Sequence, residues 1–332
     1  MKTALVTGGG GFVGRKIVSM LLQKGVHCKV VGRNPYPDLE KSGVECLVGN
    51  IGDGALIQKA CKNVDTVFHV AALAGIWGKW EQYYQTNVLG TRNVISACQS
   101  NQVENLVYTS TPSVVFNQVD IENGDETMPY ASRYLCHYAR SKVIAEKEVF
   151  KAVEQGLKGC AIRPHLIWGP EDPHLIPRLI ERGRARKLKI VGDGTNKVDI
   201  SYVDNVAHLH ILAAENLSKS GSAKGQAYFI GDEQPVNLWN WINELFKRLD
   251  IPVIEKKIPE KLAYTAGTIL EGIYKLTGTE KEPPMTRFVA EQLSKSHYFS
   301  HDKAIKELQY KPLVSAEQGM VNLISWIQAN EK

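Results

Sequence analysis

The stretch Leu5–Gly14, "LVTGGGGFVG", places four consecutive glycines, Gly8 to Gly11, directly after the first apolar run of the chain. Glycine inside a regular element costs roughly 0.5–1 kcal/mol relative to alanine, so a run of four needs a compensating use. A strand–turn–helix unit supplies one. The helix N-terminus carries unpaired N–H groups and partial positive charge, and a pyrophosphate can settle there only if no side chain stands in the way. Gly8, Gly11 and Gly14 give a G-x-x-G-x-x-G spacing, and Gly9, Gly11 and Gly14 also satisfy the looser dinucleotide fingerprint. Val13, Ile17 and Leu21 form a helical stripe after the turn, with Gly25 as its stop.

From this unit the pattern extends outward. Apolar runs recur at 28–32, 44–49, 64–72, 105–110 and 159–167, each read as a strand buried on both faces, with helical stretches between them. Such alternation predicts an α/β fold, a doubly wound parallel sheet of Rossmann type. After about residue 170 the strands shorten and prolines cluster in "GPEDPHLIP". Residues 1–170 are therefore expected to form the dinucleotide-binding domain, and 171–332 a smaller substrate lobe with segments returning to the sheet.

Composition narrows the class. The chain has 332 residues, 43% hydrophobic and 23% charged, with a net charge of +5. This is ordinary globular composition and points to no nucleic-acid partner. The basic run "RLIERGRARKLK", 178–189, reads as a solvated helix face. The six cysteines form no CxxC pair and sit in apolar runs, as expected of buried thiols in a cytoplasmic protein; no metal site is expected. No apolar signal core and no run of 18 apolar residues occurs.

The strand at 28–32 ends in Arg33 and Asn34, where an acidic residue would accept hydrogen bonds from an adenosine 2′-hydroxyl. A guanidinium suits a 2′-phosphate instead, so NADP(H) is favoured over NAD(H); the alternative is an exposed loop arginine. "YARSK", 138–142, sets Tyr138 and Lys142 one helical turn apart, with helix expected through "MPYASRYL" before it and "VIAEKEVF" after it. A phenol with pKa near ~10 is a poor acid–base group at neutral pH, and a neighbouring ammonium would lower that value. Thr109, Ser110, Thr111 and Ser113 follow the fifth strand, where open parallel sheets bind ligands.

These segments resemble the extended short-chain dehydrogenase/reductases over nearly the whole chain. "HVAAL" at 69–73, "TNVLGTRNV" at 86–94, "RPHLIWGP" at 163–170, "GDGTNKVDISYVDNVAHLHILA" at 192–213 and "LQYKP" at 308–312 are similar to that family's landmarks. The segment 109–131 most resembles the 3β-hydroxysteroid and sterol dehydrogenase branch. Residues 32–51 and 71–91 look closest to bacterial 2-alkyl-3-oxoalkanoate reductases. The resemblance implies a catalytic Thr111–Tyr138–Lys142 set, with Thr111 where the family usually has Ser and Ser110 as a substitute. It implies cofactor contacts at Gly8, Gly10, Gly11, Phe12, Val13, Gly14, Arg33, Asn34, Asn50, Ile51, Ala71, Ala72, Asn87, Tyr138, Lys142, Pro164 and Ile167. It also implies hydride transfer between a ketone and a secondary alcohol on a lipophilic small molecule, a 3-oxo acid or 3-hydroxysteroid, and a homodimer through helices around 80–100 and 130–155.

Two other readings stay open: a nucleotide-sugar epimerase or dehydratase, and a non-catalytic NAD(P)-sensing module. Epimerases commonly carry an Arg before the Asp of the "DISYV"-like strand, and here Val198 stands in that position. The Tyr–Lys pair speaks for an enzyme. His69, His137 and His165 read as structural. The stripe Leu262, Thr265, Ala266, Ile269, Ile273 and Leu276 reads as core packing or a lid, or else as a greasy wall in peripheral contact with a membrane.

Overall fold

The computed structural model describes residues 1–330. The glycine-rich turn joins β1 (Thr3–Thr7) to α1 (Phe12–Gln23). The chain continues through β2 (His27–Gly32), β3 (Glu45–Val48), α2 (Gly54–Ala60), β4 (Thr66–His69), a π-helical turn (Tyr84–Leu89) running into α3 (Gly90–Ser100), β5 (Asn105–Thr109), α4 (His137–Glu154) and β6 (Lys158–Pro164). Later come α5 (Val203–Ser218), β7 (Ala227–Ile230), α6 (Leu238–Arg248) and α7 (Glu260–Leu276). The seven strands form one parallel sheet in the order β7-β6-β5-β4-β1-β2-β3. The strand order reverses beside β1, which opens a ligand crevice at the carboxyl ends of the strands.

Two apolar layers cover the sheet. Val13, Ile17 and Leu21 of α1 pack with Val206, Leu209 and Ala213 of α5 on one face. Ile57, Val94, Cys98, Ala145 and Val149, from α2, α3 and α4, cover the other. A third core around Trp168, Trp239, Ile242, Phe246 and Leu323 holds the later segments together, while α5 and β7 lie on the main sheet.

Gly8 adopts φ +69°, where only glycine is unstrained, and a Cβ on Gly14 would run into the Gly8 carbonyl oxygen. These two positions let α1 approach the end of β1 with bare backbone between them.

Several sequence expectations are corrected. The 44–49 run is an edge strand, with Glu45 and Val48 exposed, because among the described residues nothing pairs beyond β3. The 159–167 run divides: β6 ends at Pro164, Leu166 turns with φ +38°, and Ile167–Trp168 pairs with Ser201–Tyr202 in a separate small sheet. "MPYASRYL" is not helical. α4 begins at His137, since the preceding segment is held by tertiary contacts such as Ala131 N–H to Val114 O at 2.7 Å and Tyr130 Oη to Glu146 at 2.9 Å.

The stripe on α7 is not core. Leu262 is 58% exposed, Ile269 58%, Ile273 48% and Leu276 89%, while the buried side presents Ala263, Gly267 and Glu271. Gly267 lies so close to the Thr286–Arg287 backbone that a Cβ would collide with it, and Glu271 pairs with Arg287 at 2.8 Å. The small-residue side packs inward and the apolar side faces out. No helix among the described residues is long and apolar enough to cross a membrane.

Gly14→Ala is expected to destabilise the fold by about 1–3 kcal/mol through overpacking at the turn. Gly272→Ala, exposed in mid-helix with open space around it, should instead stabilise by about 0.4–1 kcal/mol. Urea midpoints of the two variants check this pair of opposite signs.

Candidate active site

A cavity of about 580 Å³ opens at the carboxyl ends of the strands. One end is lined by the glycine turn (Gly8, Gly11, Phe12, Val13, Gly14), the middle by Ala71, Ala72, Asn50 and Ile51, and the other by Thr111, Tyr138, Lys142, Pro164 and Ile167. Arg33 lies exposed on its lip. Three expected contacts are not on this surface: Gly10, Asn34 and Asn87. A Cβ on Gly10 would enter the Tyr36 ring, so Tyr36 covers that residue and lines the cavity in its place. Asn87 is buried one layer behind.

The turn suits an anionic group. Gly11 is the N-cap of α1, with no capping side chain and no acidic residue in the first turn, and Gly11 to Gly14 line the cavity at this positive end. Arg15 is already engaged, donating from Nε to Gly10 O at 3.1 Å and pairing with Asp38. These bare backbone surfaces fit a dinucleotide pyrophosphate.

A hydrogen-bonded chain behind the cavity ties the turn to α4. Asn87 Oδ1 accepts from Leu73 N–H at 2.7 Å, and Nδ2 donates to Leu73 O at 3.1 Å and Ser141 Oγ at 2.9 Å. Ser141 in turn donates to Tyr138 O at 2.8 Å. On the other side Thr91 donates to Asn87 O at 2.6 Å, so it accepts from His69 Nε2–H at 2.9 Å. His69 Nδ1 then accepts from the Thr7 hydroxyl at 2.8 Å. This fixes the His69 tautomer. Burial, with Lys142 nearby, pushes its pKa down to about 3, and it stays neutral. The "YARSK" motif contains Ser141, but nothing in sequence spacing links it to Thr7, His69 and Thr91.

Burial acts on the Tyr138 phenol most strongly, opposed by the Thr111 hydroxyl, which favours the phenolate. Thr111 Oγ1 also contacts Ser113 Oγ at 3.3 Å. Burial outweighs this bond and raises the Tyr138 pKa to about 12. Burial likewise lowers Lys142 to about 7, against the pull of Glu146. Its Nζ donates to Thr109 O at 2.7 Å and sits 4.1 Å from the Tyr108 ring centroid. The expected lowering of the Tyr138 pKa by Lys142 is therefore absent here, because desolvation penalises the charged form of both groups. Glu146, one turn beyond Lys142, forms a buried pair with Arg163 at 2.5 Å, locking α4 to β6.

Residues from distant segments, His174, Leu175, Phe288 and Gln292, also line the cavity. No local motif marked them. A second cavity of about 670 Å³ shares Ile76 with the first and is walled by Trp77, Leu135, Arg140 and Tyr274 among others.

Fold and site define a nicotinamide-dinucleotide-dependent oxidoreductase of the extended short-chain dehydrogenase/reductase class. Residues 5–260 match the profile of the 3-beta hydroxysteroid dehydrogenase/isomerase family, and the chain belongs to that family. It is 44% identical over 328 residues to a 2-alkyl-3-oxoalkanoate reductase of Shewanella oneidensis, covering 96% of this chain and 85% of the relative. It is 34% identical to the decarboxylating sterol-4-alpha-carboxylate 3-dehydrogenase of Homo sapiens, covering 96% and 86%. Among solved structures, that of gox2253 superposes with a TM-score of 0.82 at 28% identity, covering 99% and 98%. A UDP-glucuronic acid 4-epimerase from Bacillus cereus, in complex with NAD, superposes at 0.76 with 21% identity over 99% and 100%, a likeness of fold.

Asn87→Leu should cost about 1–3 kcal/mol by leaving the part-buried Leu73 N–H and C=O unpaired. A denaturant midpoint within error of wild type would refute this weight on Asn87.

Proposed function

We propose that the protein interconverts a ketone and a secondary alcohol on a bulky lipophilic substrate of the 3-oxo acid or 3-hydroxysteroid class, using NADP(H) in preference to NAD(H). The observation that carries the reading is the convergence of Tyr138, Thr111 and Lys142 on the cavity that begins at the bare-backbone turn. The nicotinamide, when bound, supplies or takes up the hydride. In reduction, Tyr138 gives its proton to the developing alkoxide, and Thr111 donates a hydrogen bond to the same oxygen. Lys142, Pro164 and Ile167, which line the same end of the cavity, would hold the nicotinamide riboside. Leu73, Ile76, Leu166, Leu175 and Phe288 supply apolar walls, and the adjoining cavity adds room for a long or polycyclic body.

Arg33 supports the preference for NADP(H): it is exposed at the end of β2, on the cavity lip, whereas Arg15 is held by Asp38. The nucleotide-sugar alternative has less support, since Val198 is buried where a phosphate-holding Arg would stand. Relatives named for 3-oxo acids and sterol carboxylates favour the lipid reading.

Tyr138→Phe should lower kcat by at least ~100-fold with dinucleotide affinity nearly unchanged, the scale of general acid–base catalysis. Arg33→Ala should weaken NADPH by about tenfold or more, the worth of a charged hydrogen bond, and leave NADH almost unaffected. An NADPH-oxidation screen across 3-oxo acids, 3-ketosteroids and nucleotide sugars, with both variants alongside, checks these outcomes.

The exposed apolar stripe of α7, with Lys261 and Lys275 beside it, supports peripheral contact with a lipid surface. Wild-type protein is expected to sediment with anionic vesicles and Ile269→Glu to remain in the supernatant; equal partitioning of the two would refute the contact.

A further inference from the structure

Tyr36 fills a space that two glycines leave empty. Gly32 is the last residue of β2. It stands about 20 residues beyond the glycine turn, where dinucleotide-binding folds place the side chain that meets the adenosine ribose. Here that side chain is missing, and a Cβ on Gly32 would run into the Tyr36 hydroxyl. A Cβ on Gly10, in the glycine turn, would run into the same ring. The phenol therefore lies across both glycines, with its hydroxyl in the position of the absent β2 side chain.

The ring is held in that place. Pro35 and Pro37 flank Tyr36 and narrow the backbone freedom on both sides. The Arg15 guanidinium lies 5.7 Å from the ring centroid and is itself paired with Asp38, which neutralises the carboxylate nearby. Gly32, Arg33 and Tyr36 line the same cavity. Tyr36 is half-buried and Arg33 is exposed. Neither the Tyr36 hydroxyl nor the Arg33 guanidinium has a hydrogen-bond partner among the described residues.

We propose that Tyr36 is a specificity-determining residue for the cofactor: its hydroxyl donates a hydrogen bond to the 2′-phosphate of NADP(H), beside the Arg33 guanidinium. The inference rests on the NADP(H) preference argued above and deepens it by assigning a second residue to the same group. A phosphate ester presents three strong acceptor oxygens and close to two negative charges. A guanidinium fork engages two of those oxygens at most, and the phenol O–H reaches a third through a charge-assisted bond. The 2′-hydroxyl of NAD(H) offers the same phenol only a neutral bond, about half as strong. An acidic side chain at position 32 would repel the phosphate, and the Tyr36 ring occupies the space that such a side chain needs.

The test uses calorimetric binding of two probes, adenosine 2′,5′-bisphosphate and adenosine 5′-monophosphate. Tyr36→Phe keeps the ring on both glycines and should melt at the wild-type temperature. It should lose about five- to tenfold more affinity for the bisphosphate than for the monophosphate, the difference between a charged and a neutral hydrogen bond. Gly10 has no positive φ, so Gly10→Ala is compatible with the backbone; its methyl drives the ring away and should give the same selective loss with the tyrosine still present. The ratio of kcat/KM for NADPH over NADH should fall by the same factor in both variants. Equal losses on the two probes, or a selective loss in Arg33→Ala with none in Tyr36→Phe, overturn the role of Tyr36 and leave the NADP(H) preference standing. Equal wild-type affinity for the two probes overturns that preference, and the inference with it.

Discussion

Asn87 holds the site together. A single side-chain amide uses its oxygen and both N–H groups to clamp the Leu73 N–H and C=O and Ser141 at once. Leu73 belongs to the loop that lines the middle of the cavity, and Ser141 holds the first turn of α4, where Tyr138 sits. Through Thr91 and His69 the same network reaches Thr7, the residue before the glycine turn. Buried polar groups pay for themselves only when every member is partnered, and here each bond runs in one direction with its donor assigned. The distance between the glycine-turn end and the Tyr138 end of the cavity is therefore set by hydrogen bonds within the protein rather than by a ligand.

The site's electrostatics follow from burial. Tyr138 and Lys142 are both driven toward their neutral forms, Tyr138 up to about 12 and Lys142 down to about 7. Proximity on one helical turn does not by itself make an ammonium lower a phenol's pKa: the ammonium must be charged and aimed. In this arrangement it is aimed at Thr109 O and the Tyr108 ring.

Much of this was legible from sequence, for identifiable reasons. The strand at β1 and the helix at α1 were readable because apolar period and glycine spacing are local properties. Their consequences, the φ of Gly8 and the close approach at Gly14, follow directly. What failed depended on neighbours. Nothing in "VECLVG" says that no strand lies beyond it. The composition of "MPYASRYL" suits a helix, yet Ala131 and Tyr130 find better partners in Val114 and Glu146. The α7 stripe revealed an amphipathic helix but not which side would pack; Gly267 and Glu271 decided that through contacts with Thr286 and Arg287. Tyr36 joins the site through tertiary proximity to Gly10, and the His165–His297 pair spans more than a hundred residues, which no spacing rule reaches.

The wide turn at Tyr84–Leu89 has an evolutionary corollary. Asn87 and its hydrogen-bond geometry sit within that turn. A π turn is commonly an α-helix with one residue inserted. Deleting a residue there would restore regular winding but rotate everything on one side of the gap by about 100° relative to the other. The clamp would then face a different direction with its chemistry unchanged. Length in this segment is thus under as much constraint as residue identity, and homologues are expected to exchange side chains around Asn87 more freely than they gain or lose positions.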